Sequence, residues 1–214
     1  MTLRTLSVGV GLIIAVCGLV ACSADDPPPT NSAPVIVPGG PGEEASTIAP
    51  GEATPVEADP PNDADVAYVQ QMIVHHQQAI DIAELAPNRA ASEQVKGLAR
   101  RIAETQGPEI DMMNRWLSQH DKPVIDPKSH DHGIDHASMP GMASPETMTA
   151  LRDARDAAFD TLFLQTMITH HQGALTMANE VRTAGVDVKV QEWADDVTAT
   201  QGDEITRMQA MLAG

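Results

Sequence analysis

Residues 62–214 predict an all-α fold, a four-helix bundle assembled from two copies of one helical hairpin, on three observations. Residues 65–117 align without a gap onto residues 160–212, with 18 of 53 positions identical. In both copies apolar residues recur at helical spacing, with capping residues and prolines where such helices would begin and end. The domain shows no strand pattern. Neither hairpin can cover its own apolar face, so the two should close on each other.

Taken in chain order, residues 1–21 read as an export signal. Arg4 gives a basic start, and Leu6 to Val20 form an apolar run too short to favour a membrane-spanning helix. The ending Leu19-Val20-Ala21-Cys22 resembles the lipobox of bacterial lipoproteins, which makes Cys22 the expected site of lipidation (palmitate); an ordinary cleaved signal is the alternative. The mature chain would then sit on the extracytoplasmic face of the cell membrane, held by its lipid. Cys17 would leave with the signal, so no disulfide and no thiolate metal site would remain.

Residues 22–61 follow as a tether. Between 23 and 61 there are ten prolines, seven acidic residues and no Lys or Arg, a composition that predicts disorder. Asn62 is the expected N-cap of the first long helix, which Pro87 ends. Ser92 and Asp187 should cap the second helix of each hairpin. Ser144-Pro145 opens a short helix ahead of the second copy, and Gly185 can end the third long helix. Gly107-Pro108 should kink the second helix, because proline removes a backbone donor.

Charge and composition exclude whole classes of function. With 13 Lys+Arg against 30 Asp+Glu, a net charge of −17, phosphate neutralisation on a nucleic acid is ruled out. Aromatic residues are too few for a base-stacking or sugar-stacking platform. Methionine and histidine are prominent instead, at 11 and 8 residues.

Their placement carries the chemistry. At 100° per residue, Met72 and His76 fall in the middle of the apolar face of the first helix, as Met167 and His171 do in the second copy. Asp65 and Asp160 share those seams. On the partner helices, Gln106, Glu109 and Met113 lie within the apolar arc, as do Gln201, Glu204 and Met208. Buried imidazoles and carboxylates cost several kcal/mol unless paired or bound to metal. One reading is a polar network, with His76 and His171 bonded to Glu204, Glu109, Asp65 or Asp160. The other is a metal site between the hairpins, with Met72, His76, Met167 and His171 as core ligands and the Glu109/Met113 and Glu204/Met208 pairs nearby. Thioethers add nothing to a hydrogen-bond network, which favours metal. Adjacent histidines point about 100° apart, so His75 and His170 belong on the shoulder, at a second site or interface or as supporting donors.

Thioether with imidazole suits copper, Cu(I) above all, while the carboxylates keep Cu(II) and Zn open. The loop 120–144 adds His130, His132, His136, Met139 and Met142 within 13 residues, a copper-capture pattern expected to be flexible and weaker than a preformed site.

These motifs resemble the domain-of-unknown-function 305 family. The resemblance rests on Met72-Ile-x-His-His-Gln77-x-Ala79, Gln106-x-x-Glu-Ile-x-x-Met113, Met139-Pro-Gly-Met142, and Phe159-Asp160-x-x-Phe163 leading to Met167-Ile-x-His-His-Gln-Gly-Ala174 and Met177. It implies a ferritin-like helical fold, an extracytoplasmic location and, for some members, copper binding through Met and His. The family's methionine after the His-His pair is present as Met177 but is Ile82 in the first copy.

The function expected is therefore that of a non-catalytic copper-binding lipoprotein that sequesters, buffers or hands over the ion. Its partners would be a metal ion, the membrane through the lipid, a donor or acceptor protein, and no nucleic acid; a homodimer stays open. Two alternatives remain. A ferritin-like metal oxidase needs Glu-x-x-His spacing, which neither Glu109 nor Glu204 has. A structural or interaction module would use its polar seam only to set register.

Overall fold

The computed structural model describes residues 35–37, 42, 44–49, 59–129, 133–135 and 139–214. The expected export signal, Cys22, His130, His132 and His136 lie outside the described residues. The chain divides into two units, residues 1–56 and 57–214.

In the first unit two short strands, β1 (Val35–Val37) and β2 (Ser46–Ile48), pair antiparallel with Val35 opposite Ile48 and Val37 opposite Ser46. The composition of this stretch predicts disorder, but its prolines fall outside the strands. Val35-Ile36-Val37 is a β-branched run, and such residues favour extended backbone. Ile36 is 70% exposed, so what is described there rests on backbone pairing rather than on a core.

Among its described residues the second unit holds five α-helices, α1 (Asp63–Ala83), α2 (Glu93–Gln119), α3 (Pro145–Asp153), α4 (Asp156–Ala184) and α5 (Val188–Ala213), and a 3-10 turn at Ala86–Asn88. The four long ones form the bundle. Each hairpin packs most intimately within itself, α1 on α2 and α4 on α5, and α1 meets α4 across the repeat. The caps stand where the sequence puts them. Asn62 accepts from Ala64 and Asp65 in a capping box, and Ser92, Ser144 and Asp187 cap α2, α3 and α5. α2 continues as one helix through Pro108. No described helix is long and apolar enough to cross a membrane.

The core explains how the site is placed. One apolar cluster gathers Tyr68, Met72, Met113, Trp116, Met139, Met177 and Val190; the other gathers Ile82, Leu98, Ile102, Phe159, Phe163, Met167 and Met208. Along every long helix the switch from one cluster to the other occurs at a buried polar residue. These are His75 and His76 on α1, Gln106 on α2, His170 and His171 on α4, and Gln201 on α5. The duplication thus builds a polar layer across mid-bundle, and the apolar halves on its two sides are related by the repeat.

Asp65 and Asp160 serve the ends rather than this layer. Buried Asp65 accepts from the backbone N–H of Val186 and Asp187 in the turn of the opposite hairpin, and from Asn62 N–H. Asp160 accepts from Ser92 N–H in the turn of the first hairpin at 2.9 Å. Each hairpin therefore caps the other's turn.

Candidate metal site

Within each His-His pair the second histidine turns to its own hairpin. His76 Nε2 stands 2.8 Å from Glu109 Oε2, and His171 Nε2 stands 2.7 Å from Glu204 Oε2. Donation of Nε2–H to a carboxylate fixes the tautomer and leaves the lone pair on Nδ1. Both Nδ1 atoms are buried and without a hydrogen-bond partner among the described residues. Of the network partners the sequence allows, the structure selects the within-hairpin glutamates.

The first histidines meet each other instead. The rings of His75 and His170 stack with centroids 3.7 Å apart at 35°, and His75 Nε2–H donates to the Pro140 carbonyl at 3.1 Å. The shoulder position inferred from the helical wheel is corrected here: both residues are fully buried. What covers them is a strap, Met139–Ala143, that a wheel drawn for one helix cannot include. Gln78 holds the strap on one side, accepting from Ala143 N–H and donating to its carbonyl. On the other side it lies against α4. A Cβ on Gly173 would overlap the Pro140 carbonyl, and Gly141, at φ +78°, rests on the Thr169 and His170 carbonyls. Gly173 takes in the second copy the place of Gln78 in the first, so the strap is bonded by one repeat and accommodated by the other. Met139 is buried in the first cluster with Met142 packed against it, so this part of the loop is docked rather than free.

Burial sets the charge state of the stacked pair. Desolvation, helped by His76, pushes His75 down to about 3, against the opposing pull of the Pro140 carbonyl. Burial drives His170 well below the ordinary histidine value, with His75 as a further cause. Both are neutral imidazoles at any ordinary pH.

The four residues expected to share one ion are not brought together. Met72 packs in the first cluster and Met167 in the second, on opposite sides of the polar layer. What converges is one hairpin's own set. Met72, His76, Glu109 and Met113 line a cavity of about 230 Å³ with Tyr68, and α5 contributes Trp193, Asp196 and Lys189. The Tyr68 hydroxyl is buried and lacks a partner among the described residues. Burial, and secondarily Glu109, raises its pKa, so it is a neutral phenol. Among the described residues no three His, Cys, Asp or Glu side chains gather around a point. An ion held here would take the thioethers of Met72 and Met113 with the Nδ1 of His76, a soft donor set that fits Cu(I).

The single-helix pattern shows the lining from α1 and α2. It does not show Trp193, which arrives from the opposite hairpin. Tyr68 carries its signal in the repeat, where its counterpart is Phe163.

Comparison with known proteins agrees with this architecture. A family model described as a domain of unknown function (DUF305) matches residues 65–212. None of the curated proteins matches. Among solved structures, a DUF305 fragment from Deinococcus radiodurans is 31% identical, with a TM-score of 0.63, covering 72% of this chain and 99% of that one. A DUF305 protein from Streptomyces coelicolor is also 31% identical, with a TM-score of 0.62, covering 70% of this chain and 91% of that one. CopM in its Cu(I)-bound form is 32% identical, with a TM-score of 0.55, covering 69% of this chain and 94% of that one.

Proposed function

The chain belongs to the DUF305 family, and from that premise we propose that it is a copper-binding protein that sequesters, buffers or transfers Cu(I). One observation carries the reading: Met72, Met113 and His76 line one cavity, and the Nδ1 of His76 has no hydrogen-bond partner among the described residues. Glu109 orients that imidazole from behind. The similar protein CopM has been seen with Cu(I), Cu(II) and Ag bound; its Cu(I) and Ag forms support a soft monovalent ion. The reading is a binder rather than an oxidase. Three residues after Glu109 and Glu204 stand Met112 and Arg207, where a di-metal oxidase places histidine.

The location that fits is extracytoplasmic, with Cys22 as lipid anchor. The export signal supports it, and the Streptomyces coelicolor relative is described as a candidate secreted protein. The net charge of −17 draws cations toward the surface. His130, His132 and His136 would capture copper ahead of the cavity.

The His76–Glu109 and His171–Glu204 pairs also favour a second reading, a register-setting polar network without metal. Titration of the full chain with Cu(I) against a competing chelator separates the two. Copper binding should weaken at least tenfold, about 1.4 kcal/mol, when Met72→Leu and His76→Leu are combined. Unchanged affinity in that variant moves the binding to the 120–144 loop or returns the seam to the network reading.

A further inference from the structure

The duplication doubles every motif, yet the two halves of the bundle are not equivalent. Around the cavity of the first hairpin stand Tyr68, Met72, His76, Glu109 and Met113, with Trp193 and Asp196 supplied by α5. Their counterparts in the repeat are Phe163, Met167, His171, Glu204 and Met208, with Leu98 and Arg101 supplied by α2.

Three departures act against a cation in the second half, and one, Lys189 for Gln94, acts against it in the first. Phe163 replaces by carbon the buried hydroxyl of Tyr68, which has no partner among the described residues. Leu98 replaces the indole of Trp193, whose face attracts cations and already has the Lys189 ammonium 5.8 Å from its centroid. Phe163, Leu98, Ile102, Met167 and Met208 close into one buried apolar cluster, whereas Met112, Asp196 and Lys189 leave the first cavity open to solvent. At the mouth, Asp196 becomes Arg101 and Met112 becomes Arg207, and both arginines line a cavity with Glu204 that Glu109 also borders from the other side. The cation of the first half, Lys189, is already paired with Glu192 at 2.8 Å.

We infer that the soft-cation site exists once per bundle: the first half holds the ion, with Tyr68 and Trp193 as residues that determine where it binds, and the second half is a closed structural copy. This deepens the copper reading and rests on it. Met167, Met208 and His171 then serve as core and polar layer, and the repeat preserves their identity because packing and the His–Glu pair require it.

Mirrored variants of the full chain test this, in a background with His130, His132 and His136 changed to alanine. The probe is Ag⁺, read by chelator competition in every variant and by quenching of tryptophan emission (Trp116 and Trp193) in those that keep Trp193. Met72→Leu with Met113→Leu should weaken Ag⁺ at least tenfold, and Met167→Leu with Met208→Leu should leave it within twofold. Leucine for methionine conserves volume, so both pairs should fold, as helical circular dichroism checks. A second variant needs no methionine change. Tyr68→Phe, Trp193→Leu and Asp196→Arg write the second half's residues into the first, and should weaken Ag⁺ at least fivefold. Equal weakening by the two methionine pairs overturns the single-site assignment and leaves the copper reading standing. Weakening by neither pair overturns both.

Discussion

The two hairpins share a motif down to the number of residues between histidine and glutamate, yet they keep it for different reasons. In the second half, Met167 and Met208 are sealed with Phe163 and Leu98, and the polar layer above them is closed by the His171–Glu204 pair. In the first half the same thioethers and the same pair border an accessible cavity. A shared motif therefore reports shared packing first. Function is read from the residues that break the repeat, namely Tyr68 against Phe163, Trp193 against Leu98 and Asp196 against Arg101.

The structural asymmetries can be broken in the same way. The largest effect should come from the turn caps. Asp65 serves three backbone donors and Asp160 one. Asp65→Ala should cost about 3 kcal/mol and Asp160→Ala about 1 kcal/mol in urea unfolding. Equal costs would mean that the extra bonds to Val186 and Asp187 carry no weight.

The strap gives a smaller contrast. Gly173→Ala places a methyl against the Pro140 carbonyl and should cost about 2 kcal/mol. Gln78→Ala on the other side removes two hydrogen bonds to Ala143 and should cost about 1 kcal/mol. A Gly173→Ala protein of wild-type stability would show that the strap is not seated there.

The stacked histidines add a pH dependence. His75 is pushed from 6.5 to about 3 in the folded state, so above pH 6.5 folded and unfolded forms are equally unprotonated and nothing is lost. Below it the unfolded chain takes up a proton that the folded chain refuses. Stability then falls by up to about 1.4 kcal/mol per pH unit from His75 as pH drops toward 3, and His170 acts in the same direction. Unfolding midpoints at pH 7 and pH 5 measure this, and His75→Phe should flatten the difference.

The smallest effect is the most diagnostic of function. Tyr68→Phe removes a buried hydroxyl without a partner among the described residues, and should stabilise the metal-free protein by about 1 kcal/mol while weakening Ag⁺. Phe163→Tyr in the other half should destabilise without any gain in binding.

Much of this was legible in the sequence, because helix caps and repeats are local signals. Asn62, Ser92, Ser144 and Asp187 cap where they should, and the alignment of the two copies implies the bundle. The wheel identified Met72, His76, Glu109 and Met113 as inward. It could not tell that Met72 and Met167 lie on opposite sides of the polar layer, since that depends on how two antiparallel hairpins register. Nor could it bury His75 and His170, whose cover comes from a strap more than 60 residues along the chain from His75. Trp193 was invisible for the same reason.

X-ray absorption at the copper edge of the Cu(I)-loaded chain, with the three loop histidines replaced by alanine, puts the matter most sharply. Two sulfur scatterers and one imidazole nitrogen should surround the ion, and the sulfur shell should vanish in Met72→Leu with Met113→Leu. A shell of nitrogen and oxygen alone, or sulfur that persists in that variant, would contradict thioether binding in the first hairpin.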